Sequence, residues 1–141
     1  GMSTYEQLVD NINTFEAPDM TAEEKAAVDA AAKAIQSDII IPCTACNYCM
    51  PCPYGIDIPA VFGYYNACLT EGLLPEGDKH DTAYRKARKK WLVGYDKKVE
   101  RMRQADHCIG CKHCLSHCPQ RINIPAQMQM IDKIAEQLKQ S

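Results

Sequence analysis

The chain has 141 residues, 46% of them hydrophobic, enough for one domain with a modest core. No run of about 18 apolar residues and no charged-then-apolar leader is present, so the sequence predicts neither a membrane span nor a signal peptide. Net charge is only −2, and nine cysteines without a leader favour metal ligation in a reducing cytoplasm over a disulfide framework.

Ser3 to Glu6 form a capping-box pattern, and Leu8, Val9, Ile12 and Phe15 follow at helical spacing, so a helix is expected over about residues 4–15. Ala17, Pro18 and Asp19 break it. A second box, Thr21 to Glu24, opens an alanine-rich helix ending near Gln36, and residues 38–42 lead into the first cysteine run. After Pro59 an apolar face of Val61, Phe62, Tyr65 and Leu69 ends at Gly72, with a loop to Asp78. A long basic helix is expected over roughly 80–104, carrying Tyr84, Ala87, Trp91 and Tyr95 on one face. Gly94 sits in its interior at a cost of about 1 kcal/mol relative to alanine and marks a candidate kink. The last helix, Pro125 to Gln140, turns Met128, Ile131, Ile134 and Leu138 inward. No stretch alternates with period two, so the fold class is all-α.

Two cysteine runs organise the chain. Cys108, Cys111, Cys114 and Cys118 have the spacing C-x2-C-x2-C-x3-C-P, that of bacterial ferredoxins holding an iron–sulfur cubane. Three thiolates suit a loop curled around one cluster, and the fourth, before proline, ligates the other cluster in two-cluster ferredoxins. Cys43, Cys46, Cys49 and Cys52 form the earlier run, with Met50 and Pro51 alone in its last gap, so a differently turned loop is expected there. The repeat continues past the cysteines: residues 52–60 match residues 118–126 at Cys, Pro, Ile, Asp/Asn, Ile, Pro and Ala. Asp57 and Asn123 are N-cap candidates, each with proline in the first turn. This internal duplication predicts two 4Fe–4S clusters, one on Cys43, Cys46, Cys49 and Cys118, the other on Cys108, Cys111, Cys114 and Cys52.

The 65-residue separation of Cys43 and Cys108 and the lack of strands resemble the all-α two-cluster ferredoxin module of larger oxidoreductases. Residues 41–62, with Tyr65 and Asn66 beyond them, and the closing motif at 108–125 resemble the C-terminal iron–sulfur domain of aldo/keto reductase-like oxidoreductases. The opening residues 1–12 are similar to the turn and helix after the last strand of the reductase barrel. This resemblance implies that residues 1–20 are a remnant of the last barrel turn and helix. Residues 21–141 would then be a helical iron–sulfur domain. A barrel needs about 250 residues, so the catalytic barrel would lie outside this chain, and no catalytic residue of that family can be placed here. Asp10 and Asn11 stand where the family has a cofactor-contacting Glu-Asn pair, but Gln7 replaces its phosphate-binding arginine, and no nucleotide binding is expected.

Zinc is the main rival for the eight clustered cysteines, since paired C-x2-C hooks build four-cysteine zinc sites. The x2 triplets and the Cys-Pro exits favour cubanes. His107, His113 and His117 read as neighbours that tune a site, with ligation as the sharper alternative. Cys68, outside both runs, reads as a small buried hydrophobe. Tyr48 and Tyr54 are candidates to shield a cluster, with packing an equal explanation. Charge is uneven. Residues 1–40 carry two basic and eight acidic side chains (net −6), and residues 78–103 carry ten basic and four acidic (net +6). The basic run 85–103 is ordinarily a solvated face; the sharper reading is a docking patch for an acidic redox partner, and no motif accompanies it that would imply nucleic acid. Two functions follow. One is electron transfer as the iron–sulfur domain of an aldo/keto reductase-like enzyme, whose barrel would be a partner. The other is a metal-stapled helical interaction domain without redox turnover.

Overall fold

The computed structural model describes residues 2–37 and 40–141, with side chains excluded at 35–37. Among the described residues there are five α-helices and no strand, and the fold is all-α. No described helix is long and apolar enough to cross a membrane. The chain divides into two compact units, Gly1–Asp38 and Ile39–Ser141.

The first unit holds α1 (Tyr5–Glu16) and α2 (Ala22–Ser37). The capping box of α1 lies one residue beyond the Ser3–Glu6 pattern. Thr4 accepts from the Gln7 amide, and the Gln7 side chain accepts from the Thr4 amide. Both registers are available in this stretch, and the Ser3 amide and hydroxyl also donate to Gln7 Oε1, which favours the second. The Thr21–Glu24 box opens α2 as expected. Every side chain over residues 2–34 is exposed, Phe15 at 94%, so the described side chains of this unit form no core.

The second unit packs α3 (Ile58–Thr70), α4 (Thr82–Lys98) and α5 (Ile124–Gln140), with α4 against both others. Val61, Phe62, Tyr65 and Cys68 of α3 meet Trp91 and Tyr95 of α4 and Met128, Ile131, Ala135 and Leu138 of α5 in one buried cluster. Full burial of each large member contributes roughly 1.5–3 kcal/mol. Ile134 and Leu69 are only partly buried, and Ala135 takes an inward position that spacing had not singled out. Arg88 reaches the carbonyls of Leu138 and Lys139 and closes the C-terminal end of α5.

α4 stops six residues short of the expected boundary. Val99 leaves helical geometry and is buried, and two 3-10 turns follow at Arg101–Arg103 and Ala105–His107. Gln104, 1% exposed, explains the stop. Its amide nitrogen donates to Val99 O (3.1 Å) and Asp96 Oδ1 (2.8 Å), and its oxygen accepts from Arg101 (2.7 Å). A continued helix would forfeit these bonds, and an unsatisfied buried amide costs about 1–3 kcal/mol. α4 runs unbroken through Gly94, which is there for space: a Cβ would stand 2.5 Å from Tyr64 Oη.

Candidate metal centre

Each cysteine run is delivered by a pinned segment. The Asn66 side chain accepts from Ile41 N (3.2 Å) and donates to Ile41 O (2.8 Å), holding the chain two residues before Cys43. The Ala105 amide donates to Tyr95 Oη (3.1 Å), holding the turn that precedes Cys108. Both brackets tie a cysteine loop to the helical core.

The loops themselves repeat. Left-handed residues flank the middle cysteine of each run: Ala45 and Asn47 around Cys46 (φ 53° and 64°), Gly110 and Lys112 around Cys111 (φ 73° and 64°). Such turns point successive backbone N–H groups into a concavity, the kind of nest that suits anionic groups including iron–sulfur centres. Left-handed geometry at Ala45 costs on the order of 1–2 kcal/mol, which marks a loop whose shape serves a site. The exits match too. Gly55 N donates to Cys52 O (2.9 Å) and Arg121 N to Cys118 O (3.1 Å). Asp57 and Asn123 then cap α3 and α5 by accepting from Ala60 N and Ala126 N. The expected difference between the loops is present. Leu115 to His117 carry the extra residue of the second run, whereas Met50 and Pro51 join by a cis peptide in the first.

The cysteines fall into two sets. One cavity is lined by Cys108, Cys111, Cys114 and Cys52. A second is lined by Cys43, Cys46, Cys49 and Cys118. Each takes three cysteines from one run and the exit cysteine of the other. Ile58 and Ile124, equivalent in the repeat, line both cavities and form their common wall. Both are 2% exposed. Burial raises the Cys49 thiol pKa, and Cys43, Cys118 and Cys46 around it add to the rise. Burial pushes Cys114 up to about 11, helped by Cys108, Cys111 and Cys49, so the two sets are electrostatic neighbours.

Among the described residues no three Cys, His, Asp or Glu side chains converge on a single ion. The four thiols of each set line a common cavity.

His113 lines the first of these cavities, and with His117 it also lines a surface groove beside Tyr48 and Met50. Their rings lie 5.2 Å apart. His107 bonds to Asp106 (2.9 Å). Tyr54 lines the Cys108 cavity, while Tyr48 is 68% exposed in the groove. Cys68 is buried, 1% exposed, in the helical core, as are Trp91 and Tyr95; Tyr84 is half-buried. The residues that spacing did not single out are Ile58 and Ile124 as a shared wall and the left-handed pairs. The repeat register pointed to the wall, and nothing in the composition marks Ala45.

An all-α module with two cavities, each ringed by four cysteines, is the architecture of a metal-cluster protein. A family model described as the 4Fe–4S dicluster domain matches residues 42–123, the span that contains all eight motif cysteines. The chain belongs to the 4Fe–4S dicluster domain family. No curated protein and no solved structure matches it.

Proposed function

We propose that the chain is an electron-transfer module holding two 4Fe–4S clusters, one on Cys43, Cys46, Cys49 and Cys118, the other on Cys108, Cys111, Cys114 and Cys52. The observation that carries this is the partition of the cysteines into two cavities, three from one run and one from the other in each. Clusters of this type supply one-electron redox chemistry at potentials set by charge, hydrogen bonds to sulfur and exposure. The chain's part is to offer eight thiolates, to hold the loops in their inward-facing turns, and to exclude water with apolar walls. Ile58 and Ile124 keep the two sites adjacent and the space between them dry. Nine free thiols suit a reducing, cytoplasmic setting.

The module is further read as the iron–sulfur domain of an aldo/keto reductase-like oxidoreductase. On that reading residues 1–20 are the last barrel turn and helix, and 21–141 the helical domain. Leu8, Val9, Ile12 and Phe15, all exposed on an amphipathic helix, are consistent with a face made to pack on a barrel. The basic segment 85–103 is read as a dock for an acidic redox partner. Arg88, Arg101 and Arg103 bond within the fold, and Arg85, Lys86, Lys89 and Lys90 form an exposed face.

The test is metal and sulfide analysis of protein purified anaerobically, with an absorption spectrum before and after a low-potential reductant. Two cubanes require about eight iron and eight sulfide per chain and a brown colour that bleaches reversibly. A colourless protein with stoichiometric zinc would overturn the reading in favour of a metal-stapled structural domain.

A further inference from the structure

The duplication provides an internal control on what each site does to an electron. Burial is matched down the two runs: Cys46 and Cys111 are exposed, and the remaining six motif cysteines are intermediate. The apolar wall of Ile58 and Ile124 is common to both. Exposure therefore does not distinguish the sites. Charge does. Asn47 and Lys112 are equivalent, each directly after a middle cysteine and each at φ 64°. Asn47 lines the first-run cavity and Lys112 the second-run cavity. Among the described residues no acidic or Lys/Arg side chain lines the first-run cavity; Arg121, three residues past Cys118, is exposed, as Lys112 is, but is not in its lining.

We propose that Lys112 makes the site on Cys108, Cys111, Cys114 and Cys52 the higher-potential of the two, so that an electron entering the module settles there. This rests on the two-cluster reading above. Each reduction adds one electron and no bond, and the added negative charge is favoured by a cationic residue on the loop that lines the cavity. Net charge and hydrogen bonding are the levers that set such potentials when ligands and exposure are equal. Lys112 touches no reacting atom and acts through the field it places on the site.

The test is an EPR-monitored redox titration of the anaerobically purified protein, after counting iron, for the natural chain, Lys112→Asn and Asn47→Lys. Asparagine tolerates the left-handed conformation, so Lys112→Asn retains the loop. The natural chain is expected to give two separate couples. Lys112→Asn lowers the upper couple alone and narrows the gap, and Asn47→Lys raises the lower one. A shift of the lower couple in Lys112→Asn, or no shift in either, overturns the assignment, whatever the outcome for Asn47→Lys. If the natural chain carries fewer than about eight iron, the two-cluster reading falls and this inference with it. With the full complement of iron and unshifted couples, this inference alone falls.

Discussion

Replacing Gly94 by alanine sets helix propensity against packing. In an isolated helix alanine would be favoured by about 1 kcal/mol. In this fold the new Cβ would stand 2.5 Å from Tyr64 Oη and 3.2 Å from Cζ, well inside the ordinary contact range of about 3.5–4.0 Å. Tyr64 has little freedom to retreat. Its hydroxyl donates to Trp91 O at 2.6 Å, and its ring packs edge-on to Trp91 (5.7 Å) and stacked on Tyr95 (5.5 Å). Withdrawal forfeits a hydrogen bond of about 1 kcal/mol and part of two aromatic contacts of about 0.5–1.5 kcal/mol each. Against the propensity gain, the net expectation is a destabilisation of about 1–2 kcal/mol. Tyr64→Phe removes the clashing oxygen, so Gly94→Ala should cost less in that background, with a coupling of about 1 kcal/mol. Native-state hydrogen exchange of the α3 and α4 amides reads both quantities without requiring reversible unfolding. Protection in Gly94→Ala equal to or above that of the natural chain, or a cycle with no coupling, would refute the packing account.

Cys118→Ala should lose the site on Cys43, Cys46 and Cys49 and keep the one on Cys108, Cys111 and Cys114, and Cys52→Ala the reverse, each leaving about four of eight iron per chain; the opposite assignment of the retained EPR signals would mean that each run closes its own site. Cys68, buried and with its thiol pKa raised first by burial, should resist iodoacetamide in the folded protein and react fully once denatured; rapid native labelling would contradict its place in the core. Burial pushes Tyr95 up to about 12, with the Ala105 amide donating to its oxygen as a smaller opposing influence. Its folded value lies above the ordinary 10. The stability it contributes is therefore complete below pH 10 and is lost as pH rises through about 12. Tyr95→Phe should flatten that alkaline loss in denaturation midpoints taken across the window, and an unchanged slope would count against the assignment.

The all-α class, the helix order and the two cysteine runs of a 4Fe–4S dicluster domain were legible because each rests on a local or repeated pattern. Cysteine spacing, N-caps at Asp57 and Asn123, and apolar periodicity are all written in neighbouring residues. The end of α4 was not legible. It depends on Gln104 turning back to Val99 and Asp96, a tertiary bond that a run of helix-forming residues conceals. The role of Gly94 was likewise hidden, since Tyr64, thirty residues earlier, supplies its reason. The box at Ser3 and Glu6 slipped by one residue because two overlapping patterns share that stretch. The shared wall was present in the repeat as Ile58 and Ile124, but only packing shows that both isoleucines face both cavities.

Crystals of the anaerobic protein, with anomalous scattering recorded at the iron edge, address the central claim most directly. Two compact iron peaks are expected, one on each side of Ile58 and Ile124. The first should be contacted by Cys43, Cys46, Cys49 and Cys118, the second by Cys108, Cys111, Cys114 and Cys52. A single iron peak, or two peaks each held by the four cysteines of one run, would contradict it.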